Sequence, residues 1–118
     1  MNDYKLADFE AKFADIIWDR EPIASPELVK ICEAELNWKK STTYTVLKKL
    51  IDKEIFQNQN TIVTSKISRE AFYGRQSQLY VEETFGSLPG FLTAFFQGRK
   101  LSRKEADELR NYIDRFEE

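Results

Sequence analysis

The densest group of hydroxyl and amine side chains in the sequence lies between residues 39 and 49. Its members are Lys39, Lys40, Ser41, Thr42, Thr43, Tyr44, Thr45, Lys48 and Lys49. Threonine and tyrosine are mediocre helix formers, so a helix that begins with them indicates a surface selected for another purpose. Short hydroxyl side chains can approach base edges in a DNA major groove, while flanking lysines contact phosphates. The segment therefore indicates a nucleic-acid contact, and a plain solvated helix face is the alternative.

The distribution of charge favours the nucleic-acid contact. The 118-residue chain has a net charge of −2. Residues 1–36 carry 4 basic and 9 acidic side chains, residues 37–69 carry 7 and 2, and residues 70–118 carry 7 and 9. Only the middle segment, which contains the hydroxyl-rich group, is positive. An acidic chain with one basic segment indicates a local contact with a polyanion.

The composition excludes several kinds of chemistry. The chain has no histidine and one cysteine, Cys32, which excludes an intramolecular disulfide, Cys/His zinc sites and histidine acid–base catalysis. Cys32 falls in an apolar helical pattern, so we expect a buried, unreactive thiol. The sequence shows no glycine-rich phosphate loop and no metal-ligand spacing. We therefore expect no enzymatic activity, no cofactor and no bound metal.

Hydrophobic periodicity predicts the secondary structure. Helices are expected over residues 5–20, 25–36 and 40–53, with Ser25 capping the second and a very short strand at residues 23–24. Residues 55–57 and 61–64 predict a hairpin around the turn Asn58-Gln59-Asn60. Further helices are expected over residues 69–85, 88–96 and 103–116. The last of these begins with a capping box formed by Ser102 and Glu105.

The order of these elements predicts the fold class. Three helices and a hairpin within the first 67 residues, with a short connection at residues 37–40, are typical of a winged helix-turn-helix. We therefore predict a mainly α chain with a small β-hairpin wing. Residues 1–68 would form the DNA-binding domain and residues 69–118 a helical dimerisation region. Lys66 is the first basic residue after the wing turn and is a candidate phosphate contact.

The C-terminal region predicts an interface between two copies of the chain. It carries many apolar side chains for three short helices, which favours burial against a partner chain over packing onto the same chain. The predicted interface residues are Phe85, Leu88, Phe91, Leu92, Phe95, Phe96, Leu109, Tyr112, Ile113 and Phe116.

Two features bear on the cellular location. The N-terminus begins Met-Asn-Asp-Tyr-Lys and lacks the apolar region of a signal peptide. The longest uncharged run, residues 84–98, is too short and too interrupted by glycine and proline to span a bilayer. We therefore expect a cytoplasmic protein without membrane insertion.

Several short motifs at matching spacing resemble the penicillinase-repressor family, the repressors of β-lactam resistance and their relatives. The motifs are Asp8-Phe9-Glu10, Ile16-Ile17-Trp18-Asp19, Ser25-Pro26-Glu27-Leu28, the segment from Trp38 through Leu50 with Lys53, Phe85-Gly86-Ser87, Leu101-Ser102 and Glu108-Leu109-Arg110. The resemblance implies a homodimeric repressor that binds a palindromic operator in double-stranded DNA. It also implies that residues 40–45 are the recognition positions of the third helix.

The resemblance further implies a mode of induction. In the family's best-known members, a sensor-linked protease leads to a cut between Asn and Phe in the dimerisation region. The equivalent pair here is Phe95-Phe96, in which phenylalanine replaces the asparagine.

Two alternative functions are consistent with the same fold. The wing turn has no basic residue, and the sequence pI is about 5.3, which favours a winged helix used as a protein-interaction adaptor. A regulator controlled by a small ligand near residues 91–96 is the other alternative.

Overall fold

The computed structural model describes residues 4–118. Its elements are α1 (Asp8–Arg20), β1 (Ile23–Ala24), α2 (Ser25–Leu36), α3 (Lys40–Asp52), β2 (Phe56–Gln59), β3 (Ile62–Ser65), α4 (Arg69–Phe85), α5 (Leu88–Phe95) and α6 (Arg103–Phe116). This order confirms the predicted mainly helical chain with a winged helix at its start. The chain divides into two units, one ending at Leu79 and the other spanning Tyr80–Glu118.

A single apolar core holds the N-terminal unit together. Helices α1, α2 and α3 each bury one face, because their apolar residues recur every three or four positions. The largest fully buried side chains are Phe13, Ile17, Leu28, Leu50, Ile55, Phe56, Val63 and Phe72. The sheet and all three helices therefore share one core, which fixes the face that each helix leaves to solvent.

The three-stranded sheet has the order β1-β3-β2 and is antiparallel throughout. The predicted short strand at residues 23–24 is confirmed, and Ile23 pairs with Val63. The predicted turn at residues 58–60 is wrong in position, because β2 continues through Gln59. Asn60 and Thr61 make the turn instead, with φ of 53° and 66°. Two successive left-handed residues match the right-handed twist of a tight hairpin.

Two helix starts differ from the predictions. Helix α1 begins at Asp8 rather than at residue 5, and the Glu10 carboxylate accepts a 2.8 Å hydrogen bond from the backbone N–H of Ala7. The predicted capping role of Ser25 is wrong, because Ala24 is the N-cap residue and Ser25 lies inside α2. The Ser25 side chain is only 4% exposed and has an internal partner described below.

The first part of α4 belongs to the N-terminal unit. Phe72 is fully buried, and its ring lies 5.7 Å from the Trp18 ring and 5.4 Å from the Tyr4 ring. Arg69 Nη2 donates to the Asp19 carboxylate over 2.6 Å. The N-terminal compact unit therefore continues into α4 and ends at Leu79. The functional division at residue 68 stays a prediction.

In the C-terminal unit, both α5 and α6 begin with a serine cap. Ser87 Oγ accepts a hydrogen bond from the backbone N–H of Gly90, and Ser102 Oγ accepts one from Glu105. The predicted cap at Ser102 is confirmed. Across the described residues, no helix combines the length and apolar character needed to cross a bilayer.

Replacing Phe72 with alanine is expected to lower the free energy of unfolding by about 3–5 kcal/mol, because the change leaves a cavity in the shared core. Urea denaturation at one fixed protein concentration measures the effect. Phe9→Ala is the matched control, since Phe9 is a partly exposed phenylalanine. Equal losses for the two variants would contradict the assignment of Phe72 to the core.

Candidate nucleic-acid interface

Helix α3 presents a continuous polar face to solvent. Its opposite face is buried through Val46, Leu47 and Leu50. The exposed face therefore consists of side chains that recur every three or four residues on the side opposite the core. These are Ser41, Thr42, Thr45, Lys48 and Lys49, all of which are exposed. The structure thus brings together five of the residues predicted to contact DNA.

Lysines surround this face at both ends. Lys39 is the N-cap residue of α3, Lys40 is its first residue, and the first turn contains no acidic side chain. Cations at a helix N-terminus oppose the helix dipole, typically by about 0.3–1 kcal/mol each. Within the described residues, no carboxylate forms an ion pair with Lys39, Lys40 or Lys49, while Lys48 lies 4.0 Å from Asp52. The arrangement is unfavourable for an isolated helix and favourable for binding an anion.

Thr43 does not lie on the exposed face. Its side chain is 1% exposed, so the prediction that it faces a ligand is wrong. The reason is helical geometry, because Thr43 stands three residues before Val46 and four before Leu47 and shares their buried side. Its hydroxyl donates to the backbone carbonyl of Lys39 over 3.5 Å and lies near the Cys32 thiol. Thr43 is therefore part of the core beneath the interface.

Cys32 is fully buried, as predicted. Burial raises the pKa of the Cys32 thiol above its ordinary value, and the neighbouring Thr43 hydroxyl lowers it by a smaller amount. The thiol therefore stays protonated at neutral pH, which makes it a poor nucleophile.

Tyr44 is half-buried and links α3 to α2. Its hydroxyl donates to Ser25 Oγ over 3.4 Å. The backbone N–H of Ser25 donates in turn to the carbonyl of Thr61 in the wing turn, over 2.8 Å. Ser25 therefore connects the third helix with the tip of the hairpin. Sequence reasoning missed this role, because a serine before Pro26 is a typical helix cap and nothing local indicates a distant partner.

One exposed lysine that was predicted to bind DNA adjoins the wing. Lys66 follows β3 directly and is exposed. The tip, residues 58–62, is also exposed and carries no charge.

The C-terminal unit exposes most of its apolar side chains. Neither α5 nor α6 contains a buried residue. Along α6, Leu109, Tyr112, Ile113 and Phe116 follow the three- and four-residue spacing of one helical face. Ile113 is 57% exposed and Phe116 is 77% exposed. The other predicted interface residues are exposed (Leu88 and Phe95) or half-buried (Phe85, Phe91, Leu92 and Phe96).

A cleft of about 300 Å³ opens within this unit. Its lining is apolar apart from two glutamates and consists of Phe91, Leu92, Phe95, Phe96, Leu101, Glu105, Glu108, Leu109 and Tyr112. Phe95 is the last residue of α5 and packs edge-on against Phe96, with 5.6 Å between the ring centres. The Phe95-Phe96 pair therefore lies at a helix end.

A winged helix with an exposed, lysine-edged third helix defines a class of protein, the DNA-binding transcription regulators. The model of the penicillinase repressor family matches residues 6–115 of the chain. The chain therefore belongs to the penicillinase repressor family, whose members are regulatory DNA-binding proteins that repress transcription. No match was found among curated proteins.

Thr43→Ala and Thr42→Ala are expected to differ in stability although they make the same chemical change. Removing the buried Thr43 hydroxyl should cost about 1–2 kcal/mol, while the exposed Thr42 should change stability by less than about 0.5 kcal/mol. The gain in helix propensity is common to both variants. Urea denaturation measures the difference, and equal stability of the two would contradict the burial of Thr43.

Proposed function

We propose that the chain is a homodimeric repressor that places α3 of each copy in the major groove of a palindromic operator. The observation that carries the proposal is the exposed face of α3, on which three hydroxyl side chains lie beside two lysines. Hydroxyl groups can donate to or accept from base edges, so Ser41, Thr42 and Thr45 are the candidates for sequence reading. The Thr45 hydroxyl already donates to the carbonyl of Ser41 over 2.8 Å and therefore faces DNA as an acceptor.

The lysines in this proposal position the protein on the sugar–phosphate backbone. Lys39 and Lys40 lie where the unsatisfied N–H groups of α3 also favour a phosphate, and Lys48 and Lys49 lie more than two turns further along. Lys66 supplies one more cation at the base of the wing. Phosphate contacts of this kind supply affinity and orientation, whereas base contacts supply specificity. Thr43 has no direct contact in this arrangement, and Tyr44 contributes by positioning α3.

The second copy in this proposal covers the apolar face of the C-terminal unit. An amphipathic helix such as α6 is stable when its apolar face is removed from water, at about 25 cal/mol for each Å² buried. A symmetric pair would use the same patch on both copies, because a two-fold interface is self-complementary. The partner would also cover the cleft residues Leu109 and Tyr112. Two recognition helices related in this way read half-sites about one turn of DNA apart, roughly 34–36 Å, or a multiple of that spacing.

Relief of repression by proteolysis at Phe95-Phe96 stays a prediction. A helix end is more accessible to a protease than a helix interior, which supports a cut there. Cleavage at this pair would separate α6 from the rest of the chain and so remove much of the proposed interface. The adaptor alternative has less support, because the lysine-edged face of α3 has no role in it. A regulator controlled by a small ligand would use the same face of α3 and differs only in its signal.

Reversing two charges on α3, Lys48→Glu with Lys49→Glu, is expected to weaken DNA binding by tenfold or more. The physical reason is the loss of two phosphate contacts, so the slope of log K against log salt should become shallower by about 2. Fluorescence anisotropy with promoter fragments over a salt series measures both quantities.

The matched control for this variant is Arg103→Glu with Lys104→Glu, which makes the same change in net charge at the start of α6. It should leave the salt slope unchanged. Equal effects of the two variants would mean that net charge, and not the face of α3, determines binding.

Ile113→Asp is expected to shift the protein towards monomers, because an unpaired carboxylate in an apolar interface is strongly unfavourable. Analytical ultracentrifugation measures the change in mass. Asn111→Asp is the control, since Asn111 lies on the opposite side of α6 and should leave the assembly intact. An unchanged dimer for Ile113→Asp would remove α6 from the interface.

A further inference from the structure

The hairpin that forms the wing is uncharged along its whole length. No Lys, Arg, Asp or Glu occurs from Ile55 to Ser65. Phosphate contacts that act through charge require basic side chains, and the first basic residue after the hairpin is Lys66, at its base. The wing tip therefore needs a different kind of contact if it is to approach DNA.

The tip presents three amide side chains and one apolar side chain. Asn58, Gln59 and Asn60 are exposed, and their side chains form no hydrogen bond with any other described residue. The neighbouring amide of Gln57 differs, because it donates to the Thr64 hydroxyl across the hairpin over 3.1 Å. Ile62, which pairs with Gln59, is 41% exposed. The tip thus combines free hydrogen-bond donors with an exposed apolar group.

The position of the tip is fixed relative to α3. The carbonyl of Thr61 accepts the hydrogen bond from the backbone N–H of Ser25, and Ser25 Oγ accepts from Tyr44 in α3. Ser25 is buried, so water competes little for these two bonds. Movement of the tip away from α3 would break at least one of them. The backbone of the tip is therefore connected to α3 through Ser25.

We propose that the wing tip reads the minor groove and selects A·T base pairs there, a proposal that rests on the DNA-binding function proposed above. In the minor groove, A·T pairs present only acceptors, adenine N3 and thymine O2, and G·C pairs add the amino donor of guanine. The NH₂ groups of Asn58, Gln59 and Asn60 can donate to these acceptors, whereas at a G·C pair the guanine amino group projects into the groove and obstructs that approach. Ile62 supplies an apolar contact with the deoxyribose walls, as apolar side chains do in minor-groove proteins. Ser25 is a positioning residue for this contact.

Modified bases test the proposal without reference to a known operator. Duplexes selected by the wild-type chain from a random library are resynthesised with single A·T pairs replaced by either 2,6-diaminopurine·T or inosine·C. Diaminopurine adds an amino group in the minor groove, whereas inosine·C alters the major groove and leaves the minor groove without an amino group. At the wing positions we expect diaminopurine·T to weaken binding by about fivefold or more and inosine·C to have little effect.

Two variants assign the effect to the wing tip. Asn58→Ala with Gln59→Ala should lose the sensitivity to diaminopurine while it keeps the wild-type salt slope, because neutral amides release no counterions. Gln97→Ala with Asn111→Ala is the control, since it removes two amides from the C-terminal unit and should behave as wild type.

The possible failures are distinguishable. If the wild-type chain selects duplexes but no diaminopurine·T position weakens binding, the minor-groove proposal is overturned and the repressor function stands. The same conclusion follows if the wing variant keeps the full diaminopurine effect. If the chain selects no duplex at all, both proposals fail.

Discussion

The burial of one side of α3 is the constraint on which the rest of the N-terminal unit depends. Val46, Leu47 and Leu50 enter the same core as the buried residues of α1, α2 and the sheet. A helix that is held along one side has no freedom to rotate, so the identity of its outward residues is determined by the inward ones. The core therefore decides which hydroxyl groups and lysines are available for binding, although none of its own members faces outward.

Polar contacts at the edge of this core extend its control to the wing. The Ser25 side chain and backbone connect Tyr44 with Thr61, and the Glu21 carboxylate accepts hydrogen bonds from both the N–H and the hydroxyl of Ser65 over 2.8 Å. Glu21 lies between α1 and β1, and Ser25 is the first residue of α2. A hairpin of two four-residue strands is weak alone, so these anchors are what make its tip a fixed surface.

The two units differ in how completely they bury their apolar side chains. The N-terminal unit buries its large side chains internally, whereas α5 and α6 bury none. An exposed apolar patch of this size is uncommon on a monomer and typical of an interface. In the proposed dimer, the N-terminal unit supplies the surface that contacts DNA and the C-terminal unit supplies a separate surface for assembly. Where assembly buries this patch, the free energy of unfolding depends on the protein concentration.

Much of the fold followed from the sequence alone. The apolar periodicity of α1, α2 and α3, the serine cap of α6 and the strand at residues 23–24 are local patterns, and local hydrogen bonding and amphipathicity are sufficient to produce them. The lysine-rich character of α3 was equally visible, because charge depends on composition and not on packing. The family followed from motifs spread along nearly the whole chain.

The tertiary structure alone decided the roles of Thr43, Tyr44, Ser25 and Phe72. Each of these residues has a partner distant in sequence, and a polar or aromatic residue does not reveal by its type whether such a partner exists. Thr43 and Thr42 are adjacent and identical, yet a rotation of about 100° along the helix places one in the core and the other in solvent. The same reason applies to the wing, whose tip is connected to α3 through Ser25, a residue distant from it in sequence.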